Sequence, residues 1–414
     1  MAKSNELKKA DQDDADTIVV NPAKIVMDDP EVRIVNAAKI VKADAVHAEE
    51  VPTIPLGSLQ TIDALQPEVA IHPLTTTPGI SIPAPLVAQP SEYRRSLDDW
   101  FHAWLNGIRP AYLPLALLPL LLGSILAWTR TVSAETPLGR FHFTHFLAAI
   151  VTVCLLQFGA NLINDYYDYM RGVDTSNPLG TGGLIQQGLV RPMRVLIAGL
   201  VLLGVGAVLG LVVAAAGGPL VYLFGLIGLL FAYFYSAGKY SFSALGLGDV
   251  VGFCVFGPLM TLGAYMVQGQ TPGPLAFLYS LPLGLWAAAV IHLNNMRDAE
   301  GDEQAGKRTL ASILGLGWSR VWFFALLLGA YVAVLLLAVP HRTPHLLLIS
   351  LWTLPGLVVV MSSVQRTDVP TNLHLAMRHL LKLEIWFAIL FVVALIVSTL
   401  FPVFPLIPAA LLHL

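Results

Sequence analysis

Asn161-Leu162-Ile163-Asn164-Asp165-Tyr166-Tyr167-Asp168 closes a long apolar segment. Its acids stand where ionised groups are expensive: an Asp at the centre of a membrane span costs about 2.5–3.5 kcal/mol on insertion scales. If the segment is helical, Asn161, Asn164, Asp165 and Asp168 fall at i, i+3, i+4 and i+7, which stacks two amides and two carboxylates on one face. A second set, Asn294, Asn295, Asp298 and Asp302, ends another apolar segment, with 133 residues separating Asp165 from Asp298. Read together, the two stretches are polar ends of membrane-spanning helices that face each other.

The rest of the chain supports that class. Its 414 residues are 56% hydrophobic and 12% charged, with a mean hydropathy of +0.69. Soluble domains carry roughly 25% charged residues. Several runs approach or exceed the roughly 18–20 apolar residues that span a bilayer as a helix. The alternating ten-residue pattern of spanning strands is missing. The expectation is an all-α integral membrane protein. Residues 1–100 hold 9 basic and 16 acidic residues, and the remainder 15 and 11. The basic excess of the membrane part suits anionic lipid or an anionic substrate. No basic run or zinc-type spacing points to nucleic acid.

Residues 1–90 are rich in Asp, Glu, Ala, Pro and Thr, and are expected to be a disordered acidic tail and linker. Within them Val20-Asn21-Pro22-Ala23-Lys24-Ile25-Val26 is echoed by Val35-Asn36-Ala37-Ala38-Lys39-Ile40-Val41. The echo is either a paired docking motif for a protein partner or drift in a low-complexity segment. In residues 91–108, Leu97, Trp100, Phe101, Trp104, Leu105 and Ile108 recur at helical spacing. That fits an amphipathic juxtamembrane helix on the membrane surface; the alternative is an extended start of the first span. Residues 109–414 form the membrane domain. Nine spans are expected, near 110–128, 143–164, 195–216, 219–236, 247–267, 274–296, 318–339, 344–363 and 382–401. With the N-terminus inside, twelve of the basic residues after position 100 fall on the inner side and three, Arg130, Arg140 and Arg342, on the outer. The positive-inside rule then puts both acidic clusters on the cytoplasmic face of the cell (inner) membrane.

Of the 11 acids after residue 100, seven lie in the two clusters: Asp165, Asp168, Asp174, Asp298, Glu300, Asp302 and Glu303. Carboxylates one helical turn apart converge on a hard cation. Mg²⁺ prefers octahedral oxygen ligands and is usually shared between one or two carboxylates and substrate phosphates. Lys239, four residues after Tyr235, together with Lys307, Arg308 and Arg171, are candidate partners for phosphate oxygens. Gly180, Gly182 and Gly183 could bring backbone N–H groups to an anion or form a lid. A metal–diphosphate site is the expectation. A metal- or proton-coupled transporter is the rival, although transporters more often hold isolated acids at the midplane.

These residues carry a family resemblance. Asn164-Asp165-Tyr166-Tyr167-Asp168 and Asp298-Ala299-Glu300-Gly301-Asp302 resemble the two Asp-rich motifs of the UbiA superfamily of intramembrane prenyltransferases. Ile108-Arg109-Pro110, Gly172-Val173-Asp174-Thr175, Tyr235-Ser236-x-x-Lys239, Leu245-Gly246-Leu247-Gly248-Asp249, Asn294-Asn295-x-Arg297-Asp298 and Gly306-Lys307-Arg308-Thr309 are similar to the branch that prenylates 1,4-dihydroxy-2-naphthoate, the MenA family.

The resemblance implies nine helices around a central cavity with a cytoplasmic loop cap. It implies Mg²⁺ on Asp165, Asp168, Asp298 and Asp302, with Asp174 as a further ligand. Asn161, Asn164, Asn294 and Asn295 would assist in binding substrate. Lys239, Lys307, Arg308 and Arg171 would neutralise a leaving diphosphate, and Tyr235 would shield an allylic cation. The implied partners are a polyprenyl diphosphate, an aromatic quinone precursor and the lipid bilayer. The implied reaction is Mg²⁺-dependent prenylation of 1,4-dihydroxy-2-naphthoate with decarboxylation, giving demethylmenaquinone. The alternative is another acceptor of the same superfamily, homogentisate or a hydroxybenzoate.

Overall fold

A computed structural model describes residues 97–133, 135–136, 138–173, 184–185, 188–338 and 344–401. The chain divides into Met1–Gln89 and Pro90–Leu414. The acidic tail, its internal echo, Asp174 and the glycines at 180, 182 and 183 lie outside the described residues.

Every described element is helical. A short helix, α1 (Leu97–Ile108), leads through a 3₁₀ turn at Pro110–Tyr112 into α2 (Leu113–Thr129). Then come α3 (Phe143–Arg171), α4 (Pro192–Gly217) and α5 (Pro219–Phe234). The next crossing is broken: α6 (Gly248–Cys254), a π turn over Val255–Leu259, and α7 (Met260–Val267). It is followed by α8 (Pro274–Gln304) and α9 (Leu310–Ala338). A 3₁₀ stretch (His345–Thr353) runs into α10 (Leu354–Gln365), and α11 (Pro370–Leu400) closes the bundle.

Taken as continuous stretches, with Trp100–Thr129, Gly248–Val267 and His345–Gln365 each joining adjacent elements, eight described segments are long and apolar enough to cross a membrane. The ninth expected span is α5, which has only 16 residues. Gly218, at φ 84°, and Pro219 set where it begins, so it cannot extend backward as a continuation of α4. The polar ends of α3 and α8 run further than the apolar runs that announced them, to Arg171 and Gln304. Residues 97–108 form a helix of their own. Arg109, in the left-handed region at φ 52°, and Pro110 separate it from α2. Its Ala103 and Trp104 pack with Leu162 of α3, while Trp100 and Phe101 are more than half exposed.

In a bilayer, lipid tails are as apolar as leucine, so helices associate by close packing and internal hydrogen bonds. The largest buried cluster joins α2, α8, α9 and α11 around Trp286, Tyr331 and Phe387. The Trp286 and Phe387 rings sit 5.4 Å apart. On the other side α3 and α4 cross at Gly159 and Gly199. A Cβ on Gly159 would stand 2.8 Å from the Gly199 carbonyl oxygen, and a Cβ on Gly199 3.0 Å from that of Gly159. This contact fixes α3 just before its polar end.

Gly159→Val forces two backbones apart, and we expect it to destabilise the bundle by about 1–3 kcal/mol. Gly204→Ala, on a part of α4 where a Cβ meets nothing within 4 Å, serves as the comparison. Thermal unfolding in detergent should show a lower Tm for the first and an unchanged or higher Tm for the second. Equal Tm values would contradict the crossing.

Candidate active site

The polar ends of α3 and α8 converge at one end of a cavity of about 330 Å³. Asn161, Asn164 and Asp168 reach it from α3, and Asn294, Asn295, Asp298 and Asp302 from α8. Tyr235, just past α5, and Lys307, just past α8, complete this end. Arg109, Tyr112 and Ser243 also border it; apart from Thr152 and Gln157 the remaining lining is apolar and runs along α2 to α8. The two clusters read from the sequence are therefore two walls of one site.

Each acid is held by a cation from another part of the chain or by a neighbour along its own helix. Arg109 bonds Asp165 and donates from Nη1 to Asn164 Oδ1 at 2.8 Å. Asn164 Nδ2 donates to Asp168 Oδ2 and to Ser236 Oγ, both at 2.8 Å. The Lys307 ammonium lies 3.4 Å from Asp168 and 3.3 Å from Asp302, bridging the two clusters. Burial alone would lower the Lys307 pKa, but Asp168 and Asp302 more than reverse this, so it is raised. The group remains an ammonium through neutral pH. On α8, Arg297 donates from Nε to Asp298 Oδ1 at 2.7 Å and from Nη2 to Oδ2, a two-pronged grip. Asn161, while lining the cavity, donates to the Ile108 carbonyl at 2.7 Å and so satisfies an end of α1.

Three sequence expectations change place. Asp165 is 1% exposed and turned to Arg109, beside the cavity rather than lining it. Lys239 does not continue a helix from Tyr235. The helix ends at Phe234, Gly238 turns the chain at φ 79°, and Lys239 is exposed with its ammonium 5.7 Å from the Tyr240 ring centroid. Arg308 is exposed, because the residues after α8 are not helical and Lys307 and Thr309 on either side of it turn inward. Arg171 sits at the edge of the site. It contacts Asp168 at 3.4 Å and donates to the Ser236 carbonyl at 2.7 Å and Ser241 Oγ at 3.0 Å, tying down the turn after α5.

Some organising residues carried no assigned role in the sequence reading. Arg109 and Arg297 stood there as family-pattern and inner-face charges. Their function depends on partners in space, although Arg297 adjoins Asp298 in sequence. Asp249 and His292 form a buried pair at 2.7 Å, joining α6 to α8 one turn from Asn295. Trp322 of α9 donates to the same Asp249 oxygen at 3.0 Å.

The donor set suits a hard divalent ion. Asp302 is 1% exposed and lines the cavity, yet among the described residues neither of its carboxylate oxygens finds a hydrogen-bond donor. Lys307 approaches it as a charge without hydrogen-bond alignment. Such a buried carboxylate is costly unless it serves a cationic ligand. Among the described residues no three carboxylates, imidazoles or thiols come together closely enough to hold a metal by themselves. That accords with Mg²⁺, which keeps waters and shares its shell with substrate phosphates.

Residues 116–382 match the UbiA prenyltransferase family. The chain belongs to that family. It is a multi-pass membrane prenyltransferase. It is 26% identical over 290 residues to a 1,4-dihydroxy-2-naphthoate octaprenyltransferase of Bacillus subtilis, covering 70% of this chain and 91% of that one. It is 32% identical over 240 residues to the Escherichia coli protein of the same name, covering 56% and 75%. The UbiA homolog of Aeropyrum pernix superposes with a TM-score of 0.52 at 16% identity, over 67% of this chain and 96% of that one. That of Archaeoglobus fulgidus, bound to GPP and Mg²⁺, gives 0.50 at 15% identity, over 70% and 99%. These two likenesses establish the fold.

Breaking a buried ion pair on one side costs about 3–5 kcal/mol. Arg297→Met should therefore lower unfolding stability in detergent by that order, and adding Asp298→Asn should restore most of the loss. Strict additivity of the two substitutions would contradict the pairing.

Proposed function

We propose that this prenyltransferase moves a polyprenyl group from a polyprenyl diphosphate to 1,4-dihydroxy-2-naphthoate, with loss of the acceptor's carboxylate as carbon dioxide. The observation that carries the reading is the form of the cavity: carboxylates, amides and Lys307 at one end, an apolar passage behind them. A diphosphate fits the first and an isoprenoid tail the second. The names of the bacterial relatives support the acceptor. The magnesium in the archaeal homolog bound to GPP supports the cofactor.

Asp168, Asp298 and Asp302 would hold Mg²⁺, with Asp174 as a further candidate, while Asp165 holds Arg109 in place beside the cavity. Bound there, the ion supplies Lewis-acid stabilisation of charge on the diphosphate. Lys307 neutralises the same charge, already fixed between Asp168 and Asp302 and needing little reorganisation. Arg109 and Arg171 stand close behind it. The allylic C–O bond breaks and its electron pair leaves with the diphosphate. The electron-rich ring carbon attacks the allylic carbon. The ring then loses carbon dioxide and regains aromaticity. Asn164, fixed by Asp168, Ser236 and Arg109, orients the carboxylate end. Tyr235 presents its ring to the cavity, where a π face favours a cation. The apolar walls exclude water, which would otherwise quench the cation to an alcohol. We place this site on the cytoplasmic face of the inner membrane, on the strength of the Lys/Arg asymmetry.

Membranes containing the protein, supplied with 1,4-dihydroxy-2-naphthoate, labelled octaprenyl diphosphate and Mg²⁺, should yield labelled demethylmenaquinol, which air oxidises to the demethylmenaquinone that is measured. EDTA should abolish the product. Asp168→Ala should reduce the rate by about a hundredfold or more, as expected for losing a group that stabilises transition-state charge. Product formed instead from homogentisate or 4-hydroxybenzoate would overturn the acceptor. Wild-type rates in Asp168→Ala would overturn the site.

A further inference from the structure

The polar ladder of α3 climbs one turn further than the ladder facing it. Gln157, Asn161, Asn164 and Asp168 all line the cavity. Their spacing of four, three and four residues puts them on one face of the helix. Lys307 lies 3.4 Å from Asp168 and 3.3 Å from Asp302, so those two acids stand at one level. Gln157 is eleven residues before Asp168, roughly 16 Å back along α3 at about 1.5 Å per residue. On α8 the last amide, Asn294, is only eight residues before Asp302, roughly 12 Å back. At the height of Gln157, α8 presents Val290 and Ile291 to the cavity instead.

Gln157 makes no side-chain hydrogen bond to any described residue, so its amide holds no part of the fold together. A carboxamide left bare among apolar walls is costly. An isoprenoid tail offers it nothing, having no polar atom. The second substrate does. Asn161, one turn nearer the carboxylates, gives its Nδ2 to the Ile108 carbonyl at 2.7 Å. That leaves its Oδ1 as an acceptor of fixed orientation. Thr152, the other polar side chain on this wall, lies nine residues deeper than Asn161, and its buried hydroxyl has no partner among the described residues. A threonine on a helix can turn that hydroxyl back to its own backbone.

We propose that Gln157 and Asn161 hold the aromatic acceptor across its two hydroxyls, and that Gln157 makes the enzyme select a ring whose hydroxyls stand in the 1,4 arrangement. The proposal rests on the prenyl-transfer reading above and deepens it by naming the residue that specifies the acceptor. Residues four apart on a helix are separated by roughly 6 Å along its axis, close to the span between the two oxygens of a 1,4-dihydroxy ring. The hydroxyl beside the acceptor's carboxylate lies at Asn161 Oδ1, with the carboxylate toward the basic groups. The opposite hydroxyl donates to Gln157 Oε1. Val290 and Ile291, at the same height, suit the apolar body of the ring. A ring with one hydroxyl leaves the Gln157 amide bare, and a site built to bond a hydroxyl discriminates against the analogue lacking it.

The test measures, without air, dissociation constants of 1,4-dihydroxy-2-naphthoate and of 1-hydroxy-2-naphthoate, which lacks only the 4-hydroxyl. The full-length protein carries Mg²⁺ and geranyl thiolodiphosphate, as wild type, Gln157→Leu and Gln157→Met. The wild type should prefer the dihydroxy ring by about tenfold or more. Both variants should bring the two rings within about threefold, by losing affinity for the dihydroxy ring, while binding of geranyl thiolodiphosphate stays as in the wild type. In turnover of 1,4-dihydroxy-2-naphthoate the variants should raise the acceptor KM and leave the donor KM unchanged. A wild type that binds both rings equally would overturn the role of Gln157, whether or not a variant folds. So would a preference that survives in either variant. Failure of the wild type to bind or prenylate 1,4-dihydroxy-2-naphthoate at all would instead overturn the acceptor reading on which the role rests.

Discussion

Buried carboxylates in a low-dielectric bundle need opposite charge or hydrogen bonds, and at the polar end of this bundle each of four aspartates has a basic neighbour. Asp165 is held by Arg109, Asp298 by Arg297, and Asp168 and Asp302 share Lys307, with Arg171 at the rim. The desolvation penalty of such ions amounts to several kcal/mol each unless opposite charge and hydrogen bonds offset it. The basic groups come from four separate places: the α1–α2 turn, the end of α3, the body of α8 and the loop after it. Folding the bundle is what brings them together. Fixed opposite charges of this kind are the preorganisation that charge-stabilising catalysis needs.

The same arrangement explains how a membrane enzyme can hold a highly charged diphosphate. The acids and bases are interleaved, so the polar end carries little net charge. Of the basic groups, Arg109 and Lys307 line the cavity itself, each still beside its carboxylate. The Lys307 bridge between α3 and α8 couples the two walls, so both clusters answer to one ligand. Behind them the passage along α3, α4, α5 and α7 offers an isoprenoid tail a surface as apolar as the lipid it leaves.

Much of this was legible in the sequence, for identifiable reasons. The i, i+3, i+4, i+7 spacing of Asn161, Asn164, Asp165 and Asp168 is a property of one helix, and α3 is that helix. The breaks at Gly217-Gly218-Pro219 and before Pro274 are local backbone constraints, and the helices end and begin there. What the sequence left open depends on distance in space. Spacing stacks Asp165 with Asp168, but only the rotation of α3 in the bundle sends one to Arg109 and the other to the cavity. Lys239 was placed by extending α5 a turn too far, past a glycine that reverses the chain. The full extent of α3 to Arg171 and α8 to Gln304 was also hidden, because apolarity marks only the part of a helix that meets lipid.

The central claim is that the paired acids and bases form one site for Mg²⁺ and a diphosphate together. Titration of purified protein with geranyl thiolodiphosphate, an unreactive donor analogue, at a series of Mg²⁺ concentrations measures that coupling directly. If the two ligands share the site, each must tighten the other by the same factor. The account predicts at least tenfold tighter analogue binding in the presence of Mg²⁺, lost in Asp302→Asn. Analogue affinity that is independent of Mg²⁺ in the wild type would contradict it.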